Sequence, residues 1–514
     1  MGSSSINSLL SSLAPSSQSV AELLGETGAS TSTNATLNAA VEDAVDAILN
    51  SATNTAGSGI DVTATVDAIL EADATPETNL QTEVTNYNTQ TSALQSIESD
   101  LSSLQTAVES LSDPAGAFSA VTVSSSNNDV VSATAANASP VGSHTITVNS
   151  LATTSAYYSG DQDSATSSLP TGSIEISVGS NSAVTIPVDS SDGTDTLSGL
   201  ANYINQENMG VTASVITDAS GARLSLVSQT SGAAGILTVT DNTGANDGGL
   251  DFTQVKDANG DPLGTNASLT VDGIPVSSGS NTVTGVIPGV TLTLSGTSSQ
   301  SGTSTQPVTL DVQPDLTQVS TVINNFVSAW NQVMNDINTQ ETYSTSGTEP
   351  PLMGDPSLAL VQSQLLSAIS TSVSGSSGSV NLQSIGIQLQ NNGTLSVASS
   401  QSADSLDLND ALSNDFSDVQ NLFQSGSGVG QALQTALTSL TDPVSGPLNS
   451  DMSGISSEVT DLNNQISDFQ TQLQDTQTQL TAEYSTINTT LEQLPETLAL
   501  INDQIDALNP QNVQ

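Results

Sequence analysis

The sequence predicts an α+β fold in which a discontinuous helical coiled-coil stalk, formed by both chain ends, carries an inserted β-rich head of two small domains. Two kinds of pattern lead to this class. Near each chain end, apolar residues recur at alternating intervals of three and four, the heptad period that places one stripe along a helix. Between these regions the apolar pattern changes to a period of two, as in half-buried strands. Since an apolar stripe needs a partner, we expect the two ends to pair.

The C-terminal stripe lies on a helix predicted over residues 455–494. An extra interval of four after Leu480 indicates a stutter, which locally unwinds a supercoil. Pro495 removes a backbone hydrogen bond, so we expect a kink or a break there. The candidate coiled-coil and assembly residues of this seam are Ile455, Val459, Leu462, Ile466, Phe469, Leu473, Leu480, Tyr484, Ile487 and Leu491.

The N-terminal stripe follows helix signals over residues 63–111, with Pro76 expected at the first position of a long helix. Long amphipathic helices can also pack within a single domain. Both stripes are much longer than the three turns of an average globular helix, which favours a coiled stalk that meets other subunits. The candidate seam residues here are Leu80, Val84, Tyr87, Leu94, Leu101, Leu104 and Val108.

Changes in pattern divide the chain into seven predicted segments. The pentapeptide VDAIL occurs at 45–49 and again at 66–70, a local repeat that so biased a composition can produce by chance. The segments are a disordered N-terminal extension (1–57), N-terminal stalk helices (58–117), a β-rich head part (118–170), a variable β-β-α-β-β-β head domain (171–262), a β-rich return (263–300), a helical leg domain (301–450) and a C-terminal coiled-coil stalk (451–514).

Within these segments we predict short strands separated by Ser, Asn, Pro and Gly turns, and four helices after the last strand. The predicted strands are 118–123, 129–135, 144–148, 174–178, 184–188, 211–216, 223–227, 236–239, 269–271, 275–276 and 290–294, with one helix at 195–205. The later helices are 316–341, 357–373, 402–424 and 431–439.

Charge and composition exclude several classes of protein. The chain has 52 acidic residues and two cations, Arg223 and Lys256, and no cysteine, so it cannot form disulfides. Binding to nucleic acid or anionic lipid is not expected, because phosphate contacts need Lys and Arg. No apolar run is long enough for membrane insertion, and the N-terminus lacks a standard secretory signal. Mutual repulsion should raise carboxyl pKa values, so stability should increase as pH falls from neutral.

Few residues suggest chemistry. His144 is the only histidine, and no G-x-S-x-G elbow accompanies it, so a catalytic triad is not predicted. Asp257 begins a run with calcium-loop spacing, but Pro262 occupies the glycine position and Ser268 the position of the bidentate glutamate. A plain turn is the better interpretation.

Two further features have structural interpretations. Trp330 lies at helical spacing within an apolar face, which favours core packing over a ligand platform. The acidic run over 404–418 favours a solvated helix face. We therefore predict that the protein is not an enzyme, and we predict no catalytic residues, cofactor or metal.

Four local motifs resemble one known family. Their order and spacing make the match fairly specific over residues 57–510, whereas each alone is weak. They are GSGIDV at 57–62, ASLTVDGIPVSSGSNTVTGVIPGVTLTLSG at 267–296, PLMGDP at 351–356, and IGIQL with GTLSV at 385–397 before Leu422-Phe423. The chain resembles the bacterial flagellar filament cap proteins, also called hook-associated protein 2.

This resemblance implies a structural cap at the distal tip of the flagellar filament. Such a cap would form a ring of about five or six copies of itself. It would promote polymerisation of exported flagellin, prevent its leakage and be needed for filament elongation and motility. The implied partners also include hook–filament junction proteins and a flagellar export chaperone, and the implied location is extracellular. Family stalk helices usually carry Lys and Arg at their flanks, and this chain has none there. The alternative from another class is a secreted surface adhesin with a β-rich binding head.

Overall fold

The computed structural model confirms the predicted class, since it combines helix and sheet with β-rich central domains and terminal helices. The predicted extension at 1–57 and residues 402–406 of one predicted helix lie outside the described part of the chain. The structure describes residues 61–244, 249–301, 304–343, 349–376, 378–398 and 407–508.

The described residues fall into two compact units. The terminal unit contains 61–99, 336–343, 349–361 and 439–508, and the central unit contains the remaining described residues between 100 and 438. In chain order the described helices are α1 (Val62–Asp73), α2 (Thr75–Ser112), α3 (Leu197–Gln206), α4 (Leu316–Glu341), α5 (Pro356–Ile369), α6 (Leu408–Asn414), α7 (Phe416–Gln424), α8 (Val429–Leu440) and α9 (Pro447–Leu508).

Strands occupy most of the chain between α2 and α4. The described strands are β1 (Val121–Ser125), β2 (Val131–Ala135), β3 (Gly142–Ser150), β4 (Thr154–Tyr158), β5 (Gly172–Val178), β6 (Val184–Val188), β7 (Val211–Asp218), β8 (Gly221–Ser231), β9 (Leu237–Asp241), β10 (Thr253–Gln254), β11 (Ala267–Val271), β12 (Ile274–Ser278), β13 (Thr282–Thr284), β14 (Val290–Leu294), β15 (Gln300–Ser301), β16 (Ser304–Thr305), β17 (Val308–Pro314), β18 (Val373–Gly375), β19 (Gly378–Val380), β20 (Ile387–Leu389) and β21 (Leu395–Val397).

One β-rich core lies between a five-stranded antiparallel sheet, in the order β1-β17-β3-β11-β12, and a three-stranded sheet, β13-β14-β2. Ile146, Leu292 and Leu310 are buried in this core, where alternate residues of each strand face inward. The prediction of a strand over 118–123 is wrong at its start, because Ala117–Ser119 forms a 3₁₀ turn that buries Phe118.

A second core belongs to the β-β-α-β-β-β module, whose six elements, β5 to β9 with α3, follow in the predicted order. Its strands lie in two sheets, β10-β4-β8-β7 and β6-β5-β9. The apolar residues of both sheets pack in one core with those of α3. Thr196 caps α3 by accepting a hydrogen bond from Gly199 N. β4 pairs with β8, so this sheet also includes residues before position 171, the predicted start of the module.

The helical part of the central unit is organised by aromatic packing. Phe118 contacts Phe416 and Phe423, and Phe326 contacts Phe423 and Trp330, with ring centroids 5.9–6.3 Å apart. Trp330 is fully buried, so its predicted core role is confirmed. These contacts join α4, α7 and the 3₁₀ turn into one core.

Helix α4 also holds the β20–β21 hairpin through two side chains. Trp330 Nε1–H donates to the Gly393 carbonyl over 2.9 Å. Asn331 donates to the Leu395 carbonyl over 2.8 Å and accepts from the Leu395 amide over 2.6 Å. Gly393 has a φ of +80°, which disfavours a side chain there.

Several helix predictions need correction. α5 ends at Ile369, because Val373 already belongs to β18. The helix predicted over 402–424 is divided at Asp415 into α6 and α7. The acidic run is not uniformly solvated: Asp407 is buried and caps α6 by accepting from Asn409 N, while Asp418 accepts bonds from Ser376 N and Oγ.

The run with calcium-loop spacing forms a turn, as predicted. Oδ1 of Asp257 accepts from the amides of Asn259 and Asp261, over 2.9 and 2.8 Å. The hydrogen bond from Asp261 N is the main reason that the pKa of Asp257 lies below its ordinary value. Asp257 therefore uses this carboxylate oxygen to stabilise the turn itself.

His144 lies in β3 beside the hairpin turn of β11 and β12. Asp272 and Gly273 form this two-residue turn with φ of 52° and 80°, as a type I′ turn requires. Nδ1 of His144 lies 2.8 Å from Oδ2 of Asp272, and Thr145 N donates to Oδ1 over 2.8 Å. Mainly through the His144 hydrogen bond, and then through that of Thr145, the pKa of Asp272 is lowered.

Asn331→Ala should destabilise the central unit by about 1–3 kcal/mol, because it leaves the Leu395 amide and carbonyl without their partner. Thermal unfolding followed by circular dichroism measures this change. Asn324→Ala is the matched control, since Asn324 is exposed on the same helix and its side-chain amide donates to Ser320, one turn earlier. Equal melting temperatures for the two variants would contradict the predicted role of Asn331.

Asp272→Asn should lower the melting temperature at pH 7 and have no effect at sufficiently low pH. Asn keeps the φ preference of the turn but removes the charge. A carboxyl with a lowered pKa stabilises the fold above its unfolded pKa of 3.8, and this contribution is lost as pH falls through the lower folded pKa. The cost should stay below about 1 kcal/mol, because the pair is exposed. A difference between wild type and variant that persists once the Asp272 carboxyl is protonated would contradict this account.

Candidate assembly surface

The candidate surface is the apolar stripe of α9 together with the two N-terminal helices that pack on it. Within the terminal unit, α1 contacts α9. Most of the predicted stripe residues of α9 are half-buried, while most of the residues between them are exposed. Leu462 is the most buried, with 4% of its surface exposed, and Leu491 is exposed at 42%. The half-buried stripe residues are Ile455, Val459, Ile466, Phe469, Leu473, Leu480, Tyr484 and Ile487.

The structure brings the first part of the N-terminal stripe into the terminal unit. Leu80, Val84 and Tyr87 are half-buried there, and Leu94 is fully buried. The later stripe residues are also buried, but they belong to the central unit; they are Leu101, Leu104 and Val108. A continuous stripe in the sequence therefore serves two units.

Two side-chain hydrogen bonds fix how α2 and α9 pair. Asn449 Nδ2 donates to Oε1 of Glu98 over 3.0 Å, and Gln470 Nε2 donates to Oε1 of Glu77 over 2.6 Å. The step forward from Asn449 to Gln470 on α9 equals the step back from Glu98 to Glu77 on α2, and both are three heptads long. The two helices are therefore antiparallel and in one register. Apolar spacing missed these four residues because they flank the stripe, and no signal in the sequence singles them out.

Amide-to-carboxylate bonds hold these flanks in place of salt bridges, since the helices contain no Lys or Arg. The two ion pairs found in the described residues, His144–Asp272 and Arg223–Asp161, both lie in the central unit.

Titration in the terminal unit does not follow simple repulsion. The pKa of Asp73 is raised, as expected from the sequence, but burial is the cause. The pKa of Asp442, in the turn before α9, is lowered by hydrogen bonds from the amides of Ser445 and Val444 and from the Ser445 hydroxyl. Local hydrogen bonding outweighs the overall charge at that turn.

Helix α9 is longer than predicted at both ends. It begins at Pro447, where proline is tolerated because a first-turn N–H has no helical partner, and it ends at Leu508. The expected break at Pro495 is wrong, since the helix continues through that residue. At about 1.5 Å per residue its 62 residues extend roughly 90 Å.

No group of three or more His, Cys, Asp or Glu side chains suited to a metal occurs among the described residues. None of the described helices is long and apolar enough to cross a bilayer.

Comparison with known proteins identifies the family. The model of the flagellar hook-associated protein 2 N-terminus matches residues 58–155, and that of its C-terminus matches residues 264–496. The B-type flagellar hook-associated protein 2 of Pseudomonas aeruginosa is 31% identical, over 74% of this chain and 82% of that protein. The chain belongs to the flagellar hook-associated protein 2 family.

Other members and a solved structure agree with this family assignment. A flagellin hook IN motif matches residues 173–230, within the β-β-α-β-β-β module. The flagellar hook-associated protein 2 of Escherichia coli K12 is 27% identical, over 62% of this chain and 70% of that protein. The crystal structure of the D1-D2-D3 domains of the Escherichia coli flagellar cap protein superposes with a TM-score of 0.51 and 27% identity, over 71% of this chain and 99% of the other. This is a family of structural flagellar cap proteins rather than of known enzymes.

Leu462→Ala should weaken the pairing of α9 within the terminal unit by about 2–4 kcal/mol, because it opens a cavity at the most buried stripe position. The measurement is the helical unfolding transition followed at 222 nm. Asn464→Ala, two residues further on the exposed face, should leave that transition unchanged or raise it slightly. A similar decrease in both variants would show that the stripe does not carry the packing.

Proposed function

We propose that this protein is the structural cap at the distal tip of the flagellar filament, where it promotes polymerisation of exported flagellin and prevents its leakage. The observation that carries this proposal is the apolar seam of α9, which pairs with the N-terminal helices and extends beyond them. Membership of a family of flagellar cap proteins supports it.

In this proposal the seam residues act in assembly as well as within the chain. The protein forms a ring of about five or six copies, and the helical terminal unit contacts sister subunits and the filament end. Apolar stripes that remain half-buried in one chain can be covered further when other helices dock beside them. Leu101, Leu104 and Val108, which are already buried in the central unit, support the fold of each copy instead.

The proposed partners follow from this place in the flagellum. They are flagellin, the hook–filament junction proteins and a flagellar export chaperone, and the proposed location is extracellular at the filament tip. With two cations in the chain, contacts to these partners must rely on apolar surface and on hydrogen bonds rather than on basic patches. No enzymatic step is part of the proposal.

Removing residues 476–514 should abolish capping and leave the central unit folded. The central unit keeps its cores, but the chain loses the second half of α9 and should not stay on the filament tip. In a strain that lacks the full-length protein, we expect flagellin to accumulate as soluble monomer in the medium instead of in filaments. The measurement compares flagellin in the two fractions, and a chain lacking only residues 509–514, which keeps α9 to Leu508, is the matched control.

Two outcomes would contradict the proposal. Filaments of normal length with the truncated protein would show that this part of α9 is not the attachment device. If a complete deletion leaves motility intact and removes only surface attachment, the protein acts as an adhesin instead.

A further inference from the structure

The stripe of α9 continues beyond its covered part. Leu491, Leu494, Leu498 and Ile501 follow at intervals of three, four and three, and they are exposed at 42%, 51%, 52% and 46%. We call these four residues the distal stripe. Four large aliphatic side chains on one helix face form an apolar patch of the kind that usually marks an interaction site.

The distal stripe lies just beyond the part of α9 that faces the first residue of α1. Val62, the first residue of α1, lies about 15 residues before Glu77, so the register of the Gln470–Glu77 bond places it opposite about residue 485. Asp61 caps the helix there by accepting a hydrogen bond from Ala64 N. The residues that precede Asp61 therefore begin close to Leu491, the first exposed apolar residue of the stripe.

That preceding chain contains a second copy of the sequence of α1. Residues 41–49 read VEDAVDAIL and residues 62–70 read VTATVDAIL, so six of nine positions are identical at an offset of three heptads. In α1 the repeated apolar residues form the packed face: Val66 is 2% exposed, and Ile69 and Leu70 are half-buried.

Part of the apolar stripe of α9 repeats with the same offset of three heptads. Leu473 and Leu480 of the covered stripe correspond to Leu494 and Ile501 of the distal stripe, three heptads later, and Thr476 corresponds to Thr497. Because the pairing is antiparallel, a segment three heptads before α1 faces the part of α9 that lies three heptads beyond the partner of α1. Two of the four positions of the distal stripe thus recur at the spacing of the VDAIL repeat, whereas Leu491 and Leu498 correspond to Gln470 and Gln477.

The connecting segment is long enough for this arrangement. Continuing the register places Leu49 opposite Leu498, so the chain must advance about 20 Å along α9 between Leu49 and the start of α1. Residues 50–61 reach up to about 40 Å when extended. Gly57 and Gly59 lie in this segment, and glycine adopts backbone conformations outside the helical region at little cost.

We propose that residues 41–49 bind the distal stripe of their own chain as a second copy of the α1 docking element. Val45, Ile48 and Leu49 cover the outer part of the stripe, at Leu498 and Ile501. Residues 41–49 and the end of the distal stripe lie outside the residues matched by the family models. Their binding to each other therefore goes beyond the proposed capping role. It does not depend on that role being correct.

The binding of residues 41–49 to α9 brings like charges together. Residues 41–49 contain three acids, Glu42, Asp43 and Asp46, and this stretch of α9 carries two more on its other faces, Glu496 and Asp503. No cation lies in either segment. Binding should therefore tighten as salt screens the repulsion.

Disulfide cross-linking in the full chain tests the proposal, because the protein has no cysteine of its own. Ile48→Cys with Leu498→Cys should form an intrachain disulfide under mild oxidation. Ile48→Cys with Glu496→Cys is the matched control, since position 496 lies on the opposite face of α9, about 200° around the helix. We expect the first pair to react at least tenfold faster than the second, and faster still at high salt.

Each outcome decides the question. Equal rates for the two pairs would overturn the proposal. A disulfide-linked dimer as the sole product of the first pair would show that a second copy occupies the stripe, and would also overturn it. As an independent measurement, Ile48→Asp should increase hydrogen exchange of the backbone amides from Leu498 to Ile501 at least tenfold, whereas Asp46→Asn should not. Exchange that is the same in both variants would overturn it as well.

Discussion

The scarcity of positive charge constrains the rest of this structure. With 52 carboxylates and two cations, the chain cannot hold its helices together with salt bridges. Packing depends instead on apolar stripes, and the polar flanks depend on neutral donors such as Asn449 and Gln470. In the β-rich domains, the Asp257 carboxylate accepts backbone amides within its turn, which lowers its pKa. The pKa of Asp272 is lowered first by the hydrogen bond with His144 and then by that from the Thr145 amide.

The neutral donors also help to select one alignment of the two helices. A heptad stripe fits its partner almost equally well after a slip of one heptad, because the apolar positions recur. A slip of one heptad toward the start of α9 would carry Glu98 past Pro447, the first residue of that helix, and away from Asn449. The amide–carboxylate pairs thus specify the register that the apolar residues leave degenerate.

Local pattern was sufficient for some elements and not for others. α4 was predicted at its observed bounds, because its apolar residues keep the helical period over all 26 residues of the helix. β17 was missed although its apolar residues alternate inward, and its place between β1 and β3 depends on pairing with strands far away along the chain, which no local pattern encodes. Phe118 was assigned to a strand because its packing on Phe416 and Phe423 is tertiary. On the candidate surface, periodicity identified the stripe itself, but not the residues that fix its register or the division of α2 between two units.

The antiparallel pairing of α2 and α9 has a consequence for the order of folding. The two hydrogen bonds that fix this pairing join residues separated by 351 and 393 positions in the sequence. The loop that they close therefore contains most of the chain. Closing a flexible loop of that length costs more entropy than any local contact offsets, but the cost falls once the intervening segment has folded by itself. The terminal helices should therefore pair last, after synthesis or translocation has released nearly the whole chain. Until then each carries an uncovered stripe, and any factor that keeps this protein unfolded during transport has those two stripes to hold.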